Sequence, residues 1–147
     1  MKLSKQYIAG FFDGEGCVSS SAYFKEGKYE KEPRVYLKIS VTQKDPRVLY
    51  KIKEKYGGTV RIHSWKDGRM LYSWNLTGKM KMLNFLTDIV KYSVQKREQI
   101  ELAILFTKGI RTENLGCCAL PKNIHVERLE IHKKLRELKI IELANVS

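Results

Sequence analysis

The chain has 147 residues, 28 of them Lys or Arg against 16 Asp or Glu, giving a formal net charge of +12 and a pI of about 9.6. Hydrophobic residues at 43% and aromatics at 10% are too many for a disordered basic tail. No apolar run approaches the roughly 20 residues that span a bilayer, so no membrane association is expected. The length suits one domain over residues 1–147, and the basic excess points to nucleic acid or another anionic surface.

Met1-Lys2-Leu3-Ser4-Lys5-Gln6 lacks the apolar centre of a secretory signal. The three cysteines, Cys17, Cys117 and Cys118, make no even disulfide framework, which implies an intracellular, reducing compartment. Cys117 and Cys118 with His125 and His132 also lack zinc-ligand spacing.

The first element is a helix from Tyr7, with Ile8, Phe11 and Phe12 at helical apolar spacing. Ala9 and Gly10 sit together inside it. A glycine there costs about 1 kcal/mol relative to alanine, which suggests a second backbone close by. Gly14 and Gly16 suit a left-handed helix stop. Asp13 and Glu15 fall at the negative helix end, where each acid is disfavoured by roughly 0.3–1 kcal/mol unless a cation arrives.

A period-2 strand follows, with Val18, Ser20, Ala22 and Phe24 on one face and Ser19, Ser21, Tyr23 and Lys25 on the other. The charged stretch 26–33 reads as a hairpin loop. The return strand places Val35, Leu37, Ile39 and Val41 inward and Arg34, Tyr36, Lys38 and Ser40 outward. That outer face is either ordinary solvated sheet or a surface of donors and acceptors suited to base edges and phosphates.

Asp45 and Pro46 suit an N-cap and first position for a helix carrying Val48, Leu49, Ile52 and Tyr56, stopped by Gly57-Gly58. A second hairpin spans 59–65 and 70–76 around Asp67-Gly68. In it Arg61 and His63 alternate with Val60 and Ile62, and Ser73 and Asn75 with Tyr72, Trp74 and Leu76. Helices are expected over 79–92 (Met82, Leu83, Leu86, Ile89, Val90) and 94–108 (Ile100, Ala103, Ile104, Phe106). After a loop at 112–120, a basic amphipathic helix over 121–141 turns Leu129, Leu135, Leu138 and Ile141 inward. The order α-β-β-α-β-β-α-α-α describes an α+β fold, a mixed antiparallel sheet backed by helices.

The run Ile8-Ala9-Gly10-Phe11-Phe12-Asp13-Gly14-Glu15-Gly16 resembles the motif of LAGLIDADG homing endonucleases position by position, with glutamate where aspartate is commoner at the last acid. The element order is similar to that domain as well. The resemblance implies an antiparallel saddle sheet facing DNA and two motif helices packed side by side. Only one motif is present, so a homodimer is expected, with Ile8, Ala9, Gly10, Phe12 and Asp13 at its interface and a long, nearly palindromic double-stranded DNA target.

The same resemblance implies that Glu15 and the carbonyl of Gly14 hold Mg²⁺, with Mn²⁺ able to substitute, for hydrolysis of phosphodiesters; hard oxygen ligands suit such an ion. Val41-Thr42-Gln43 resembles the segment whose glutamine orders water. Arg47 stands where members often have a basic residue, and Lys96 resembles the active-site lysine, with Arg97 as the alternative register. Ser19, Ser21, Tyr23, Lys25, Arg34, Tyr36, Lys38, Ser40, Arg61, His63, Ser73 and Asn75 would line the DNA. Two other readings use the same scaffold: a maturase binding intron RNA, and a DNA-binding regulator that does not cut.

Overall fold

A computed structural model describes residues 2–23, 33–109 and 122–146. Its elements run α1 Lys5–Glu15, β1 Gly16–Tyr23, β2 Arg34–Gln43, α2 Arg47–Tyr56, β3 Thr59–Ser64, β4 Met70–Leu76, α3 Lys79–Ile89, α4 Arg97–Lys108 and α5 Lys122–Val146. This is the order expected from the alternation of periods. Phe24, Lys25, the 26–33 loop up to residue 32, the 112–120 loop with Cys117 and Cys118, and Pro121 lie outside the described residues. Among the described residues no helix is long and apolar enough to cross a membrane.

The four strands form one antiparallel sheet in the order β1-β2-β4-β3. The first hairpin pairs Gly16 with Val41 through Tyr23 with Arg34. The second joins it where Ile39 pairs with Leu76 and Gln43 with Tyr72. β4 ends at Leu76, so β2 continues past it over residues 34–38 with only β1 beside it.

Alternation puts Val18, Val35, Leu37, Ile39, Val41, Trp74 and Leu76 on one face, and all are buried against the helices. Phe85 of α3 is the centre of that layer: the rings of Phe12, Tyr56 and Trp74 lie 5.4, 5.1 and 5.1 Å from it, edge-on or tilted. Such arrangements suit the aromatic quadrupole. Around this cluster the Trp74 indole N–H donates to the Gly57 carbonyl at 2.8 Å. The Tyr56 hydroxyl donates to Asp88 at 2.9 Å, and Asp88 also pairs with Lys5 at 2.8 Å.

Local chemistry moved several expected details. Gly14 and Gly16 adopt no left-handed turn; positive φ occurs among the described residues only at Gly57, Gly58, Gly68 and Gly78. The chain leaves α1 directly into β1, with Gly16 extended at φ −82 and ψ 164. What Gly16 supplies is room, because a Cβ there would overlap the buried ring of Phe12. α2 begins one residue later than expected: Pro46 takes the cap position and the Asp45 carboxylate accepts from the Arg47 N–H at 3.0 Å. On α5 the buried face is His125, Ile131 and Leu135, while Ile141 is exposed.

Gly16→Ala is therefore expected to destabilise the protein by about 1–3 kcal/mol, the usual cost of forcing an extra carbon into a filled core. In a Phe12→Leu background, where the obstructing ring is gone, the same substitution should cost measurably less. Urea unfolding of the four proteins of that cycle measures the difference; an equal cost in both backgrounds would contradict the steric role.

Candidate functional site

The end of α1 and the start of α4 cap each other. The Asp13 carboxylate accepts from the backbone N–H groups of Val94, Gln95 and Lys96 at 2.7, 3.2 and 3.2 Å. In return the Lys96 ammonium donates to the Asp13 carbonyl at 2.5 Å. An anion thus meets the positive end of one helix and a cation the negative end of the other, both favoured by the helix dipole. The three N–H groups given to Asp13 lie just ahead of α4, which starts at Arg97 and not at Val94. Asp13 therefore faces its own chain, not the helix interface that the resemblance implies for it.

Lys96 is buried, 6% exposed, beside the carbonyl two residues before Glu15. Arg97, the alternative, donates instead to the Val90 and Lys91 carbonyls at 3.3 and 2.8 Å, capping the end of α3. Glu15 and Gly14 are exposed. Among the described residues the Glu15 carboxylate has no hydrogen bond or ion pair. The pairing of Gly16 with Val41 brings Thr42 and Gln43 to the same end of the sheet. The structure thus gathers Glu15, the Gly14 carbonyl, Gln43 and Lys96. One exposed carboxylate and a carbonyl at a negative helix end are hard oxygen donors that fit a divalent cation.

Arg47 is not part of that gathering. Its guanidinium grips Asp45 through hydrogen bonds of 2.5–3.0 Å, which hold the Asp45 carboxyl down at about 2. It lines a groove with Ser4 and Tyr7, at the opposite end of α1 from Glu15. An 11-residue helix separates the two ends by about 16 Å.

The expected interface residues of α1 divide. Ile8, Ala9 and Phe12 are 0%, 0% and 1% exposed inside the protomer's own core, so they are not available to a partner. Gly10 is exposed, and a Cβ built there meets nothing within 4 Å; the same holds for Gly14. The bare face of α1 is therefore Tyr7, Gly10, Phe11 and Gly14, with the Tyr7 and Phe11 rings stacked at 6.3 Å. The i, i+3, i+4, i+7 spacing of those four residues was the signal for it.

The outer sheet face collects the expected polar residues by register: Ser19 opposite Lys38, Ser21 opposite Tyr36, Tyr23 opposite Arg34, Ser40 opposite Asn75 and Arg61 opposite Ser73. His63 shares that face. Thr42 and Thr59 belong to it too, although alternation from Ser40 and Arg61 already placed them there. Tyr23 and Tyr36 stack at 4.4 Å, nearly parallel. Ser73 is different: it is buried, and its hydroxyl is bonded to His63 at 3.3 Å and to the Asn75 amide at 2.9 Å. It orients its neighbours and is not itself presented. Lys25, the remaining residue expected on this face, lies outside the described residues.

The LAGLIDADG endonuclease family model matches residues 8–108. No curated protein matches the sequence. Among solved structures, the homing endonuclease I-CvuI in complex with a DNA target is 23% identical, with a TM-score of 0.72 over 91% of this chain and 80% of that one. The archaeal intron-encoded homing endonuclease I-Vdi141I complexed with DNA is 25% identical, with a TM-score of 0.71 over 91% and 82%. The homing endonuclease I-TnaI is 20% identical, with a TM-score of 0.65 over 94% and 97%. With the family model spanning well over half of its residues and the same fold found in homing endonucleases, the chain belongs to the LAGLIDADG endonuclease family.

Proposed function

We propose that this endonuclease works as a homodimer that cuts both strands of a long, nearly palindromic duplex with a divalent metal, Mg²⁺ by preference. The observation that carries the reading is the gathering of Glu15, the Gly14 carbonyl, Gln43 and Lys96 at one end of α1, beside the polar face of the sheet. Among the described residues no group of three or more His, Cys, Asp or Glu comes together. One protomer therefore brings a single unpaired carboxylate, and a second copy of α1 would bring the other. The similar I-CvuI has been captured on DNA in the presence of 2 mM Ca, and in 2 mM Mg with the DNA not cleaved.

Glu15 and the Gly14 carbonyl would hold the ion, which supplies an acidified water and charge neutralisation on the phosphate. The Lys96 ammonium, held at the Asp13 carbonyl, can meet the charge that grows on the phosphate oxygens. Gln43 offers an amide that accepts from and donates to attacking water. Ser19, Ser21, Tyr23, Arg34, Tyr36, Lys38, Ser40, Arg61, His63 and Asn75 would lie along the groove, where Arg61 suits guanine and Asn75 adenine. Glu15, the acid this chemistry requires, is intact, which favours cutting over a purely regulatory role.

Assembly is tested at Gly10. The space beside it is open, so Gly10→Leu should leave the far-UV spectrum native while displacing a facing helix. The native chain is expected to sediment as a dimer at micromolar concentration and the variant as a monomer. A native monomer, or an undisturbed Gly10→Leu dimer, would rule out α1 as the contact.

The chemistry is tested at Glu15. Glu15→Gln should bind duplex within a factor of about ten of the native protein, or 1.4 kcal/mol, and cut neither strand. Native cleavage should stop in EDTA, and Ca²⁺ should support binding with little cutting, being larger and holding its shell less rigidly. Cleavage of either strand at the native rate by Glu15→Gln would remove Glu15 from the metal site.

A further inference from the structure

We propose that Ser73 is a positioning residue for base readout. It fixes the Asn75 amide with its oxygen outward, and Asn75 so held selects a base that carries an amino group in the major groove, adenine or cytosine. The inference rests on the outer sheet face binding DNA.

Ser73 and Asn75 lie two residues apart on β4, so both belong to that face. Their surroundings differ. Ser73 is buried, whereas Asn75 is half-buried and lines a groove of about 250 Å³ with Lys38 and Arg61. The Asn75 Nδ2 donates to the Ser73 hydroxyl at 2.9 Å and to the Ser73 carbonyl at 3.2 Å. The second contact decides which way the amide faces. A carbonyl only accepts, so the amide atom beside it has to be the nitrogen. Turned over, the amide would set two oxygens against each other.

The other end of the amide is uncommitted. Among the described residues the Asn75 Oδ1 accepts no hydrogen bond. The buried side-chain atoms left there without a partner are Ser93 Oγ and Arg128 Nε, so Oδ1 is open to solvent. The Ser73 hydroxyl is itself held from its other side by His63 Nε2 at 3.3 Å. Its oxygen has two lone pairs, and one stays with Asn75 whether the imidazole nitrogen donates or accepts in that bond.

An unrestrained asparagine presents either its oxygen or its nitrogen and so suits base donors and acceptors alike. One anchored through its nitrogen presents an acceptor. In the major groove adenine N6 and cytosine N4 are donors, while guanine O6 and thymine O4 are acceptors. Anchored Asn75 accepts from the first two and meets the others oxygen to oxygen. The choice is between amino and keto bases, which is wider than adenine alone.

The test is selection of bound duplexes from a randomised library by the native protein, Asn75→Ala, Ser73→Ala and Ser73→Thr. Asn75→Ala marks the position concerned by erasing its preference. There the native protein is expected to favour adenine and cytosine over guanine and thymine by about tenfold or more. Ser73→Ala should cut that ratio about fivefold, the weight of one side-chain hydrogen bond, and Ser73→Thr, which keeps the hydroxyl, should restore it. In a selected duplex, removing the amino group of the adenine or cytosine at that position should weaken the native protein by a similar factor and leave Asn75→Ala as it was. If Ser73→Ala fails to fold by circular dichroism, Ser73→Cys, close in size and a weaker acceptor, is expected to show the same fall in the ratio.

A native preference for guanine or thymine at the Asn75 position would overturn the inference while leaving DNA binding intact. So would Asn75→Ala with every position as in the native protein. A folded Ser73→Ala that lost melting temperature but kept the native ratio would make Ser73 a structural residue only and overturn its positioning role. Native protein that bound no duplex at all would overturn the DNA reading and this inference together.

Discussion

The exchange between Asp13 and Lys96 is the constraint on which the site depends. Two helix ends of opposite polarity meet, and each takes its countercharge from the other chain segment. The exchange ties the segment ahead of α4 to the end of α1, and holds a buried lysine beside the last turn of α1. It also separates two acids that look alike in sequence. Asp13 and Glu15 both lie at a negative helix end, where a carboxylate is locally disfavoured. For Asp13 the conflict is resolved inside the protomer by three backbone N–H groups. For Glu15 it is not resolved among the described residues, and the carboxylate stays exposed, as the proposed metal site requires.

α1 can hold this position because only one of its faces is committed to the core. Ile8, Ala9 and Phe12 close against the sheet and α3, with the Phe12 ring against Phe85. At its start, Ser4 caps the helix by accepting from the Tyr7 N–H, and Lys5 ties it to Asp88 and so to Tyr56 of α2. The opposite face carries Gly10 and Gly14, whose missing side chains relieve no clash within the protomer. A glycine inside a helix lowers its stability; nothing among the described residues of the protomer offsets that at Gly10, whereas the proposed facing helix would.

The sheet was legible in the sequence because its two faces differ in chemistry: Val35, Leu37, Ile39 and Val41 alternate strictly with polar residues, and a one-residue slip would expose all four. The faces of α1 were not, because the helix is apolar or small nearly all round and the motif gives no contrast between Ile8 and Phe11. Treating the motif as one interface therefore puts three core residues on the wrong side. Phe85 escapes the pattern of apolar residues on α3, although Met82, Phe85, Leu86 and Ile89 fall on one helical face; Leu83, expected inward, is half-exposed. Arg47 is drawn aside by an acid two residues before it, a local competition that family position alone hides. The burial of Lys96 has no signature in pattern or propensity, since its cause is a carbonyl 83 residues away.

Two consequences meet at the glycine face. If two copies of α1 lie side by side there, their negative ends and both Glu15 carboxylates come together, and in water alone that approach is opposed by like charge. A divalent cation between the acids removes the opposition. Close approach and metal capture are then one event in energetic terms, since each lowers the cost of the other. In the proposed dimer the side-chain size at Gly10 and Gly14 would set how near the helices come, and hence the spacing of the two acids. Because the Asp13–Lys96 clasp joins α4 to the same helix end, Lys96 is carried to that spacing with them. In that proposed dimer, a site with one carboxylate per chain would be made whole by the glycine face that each protomer leaves open.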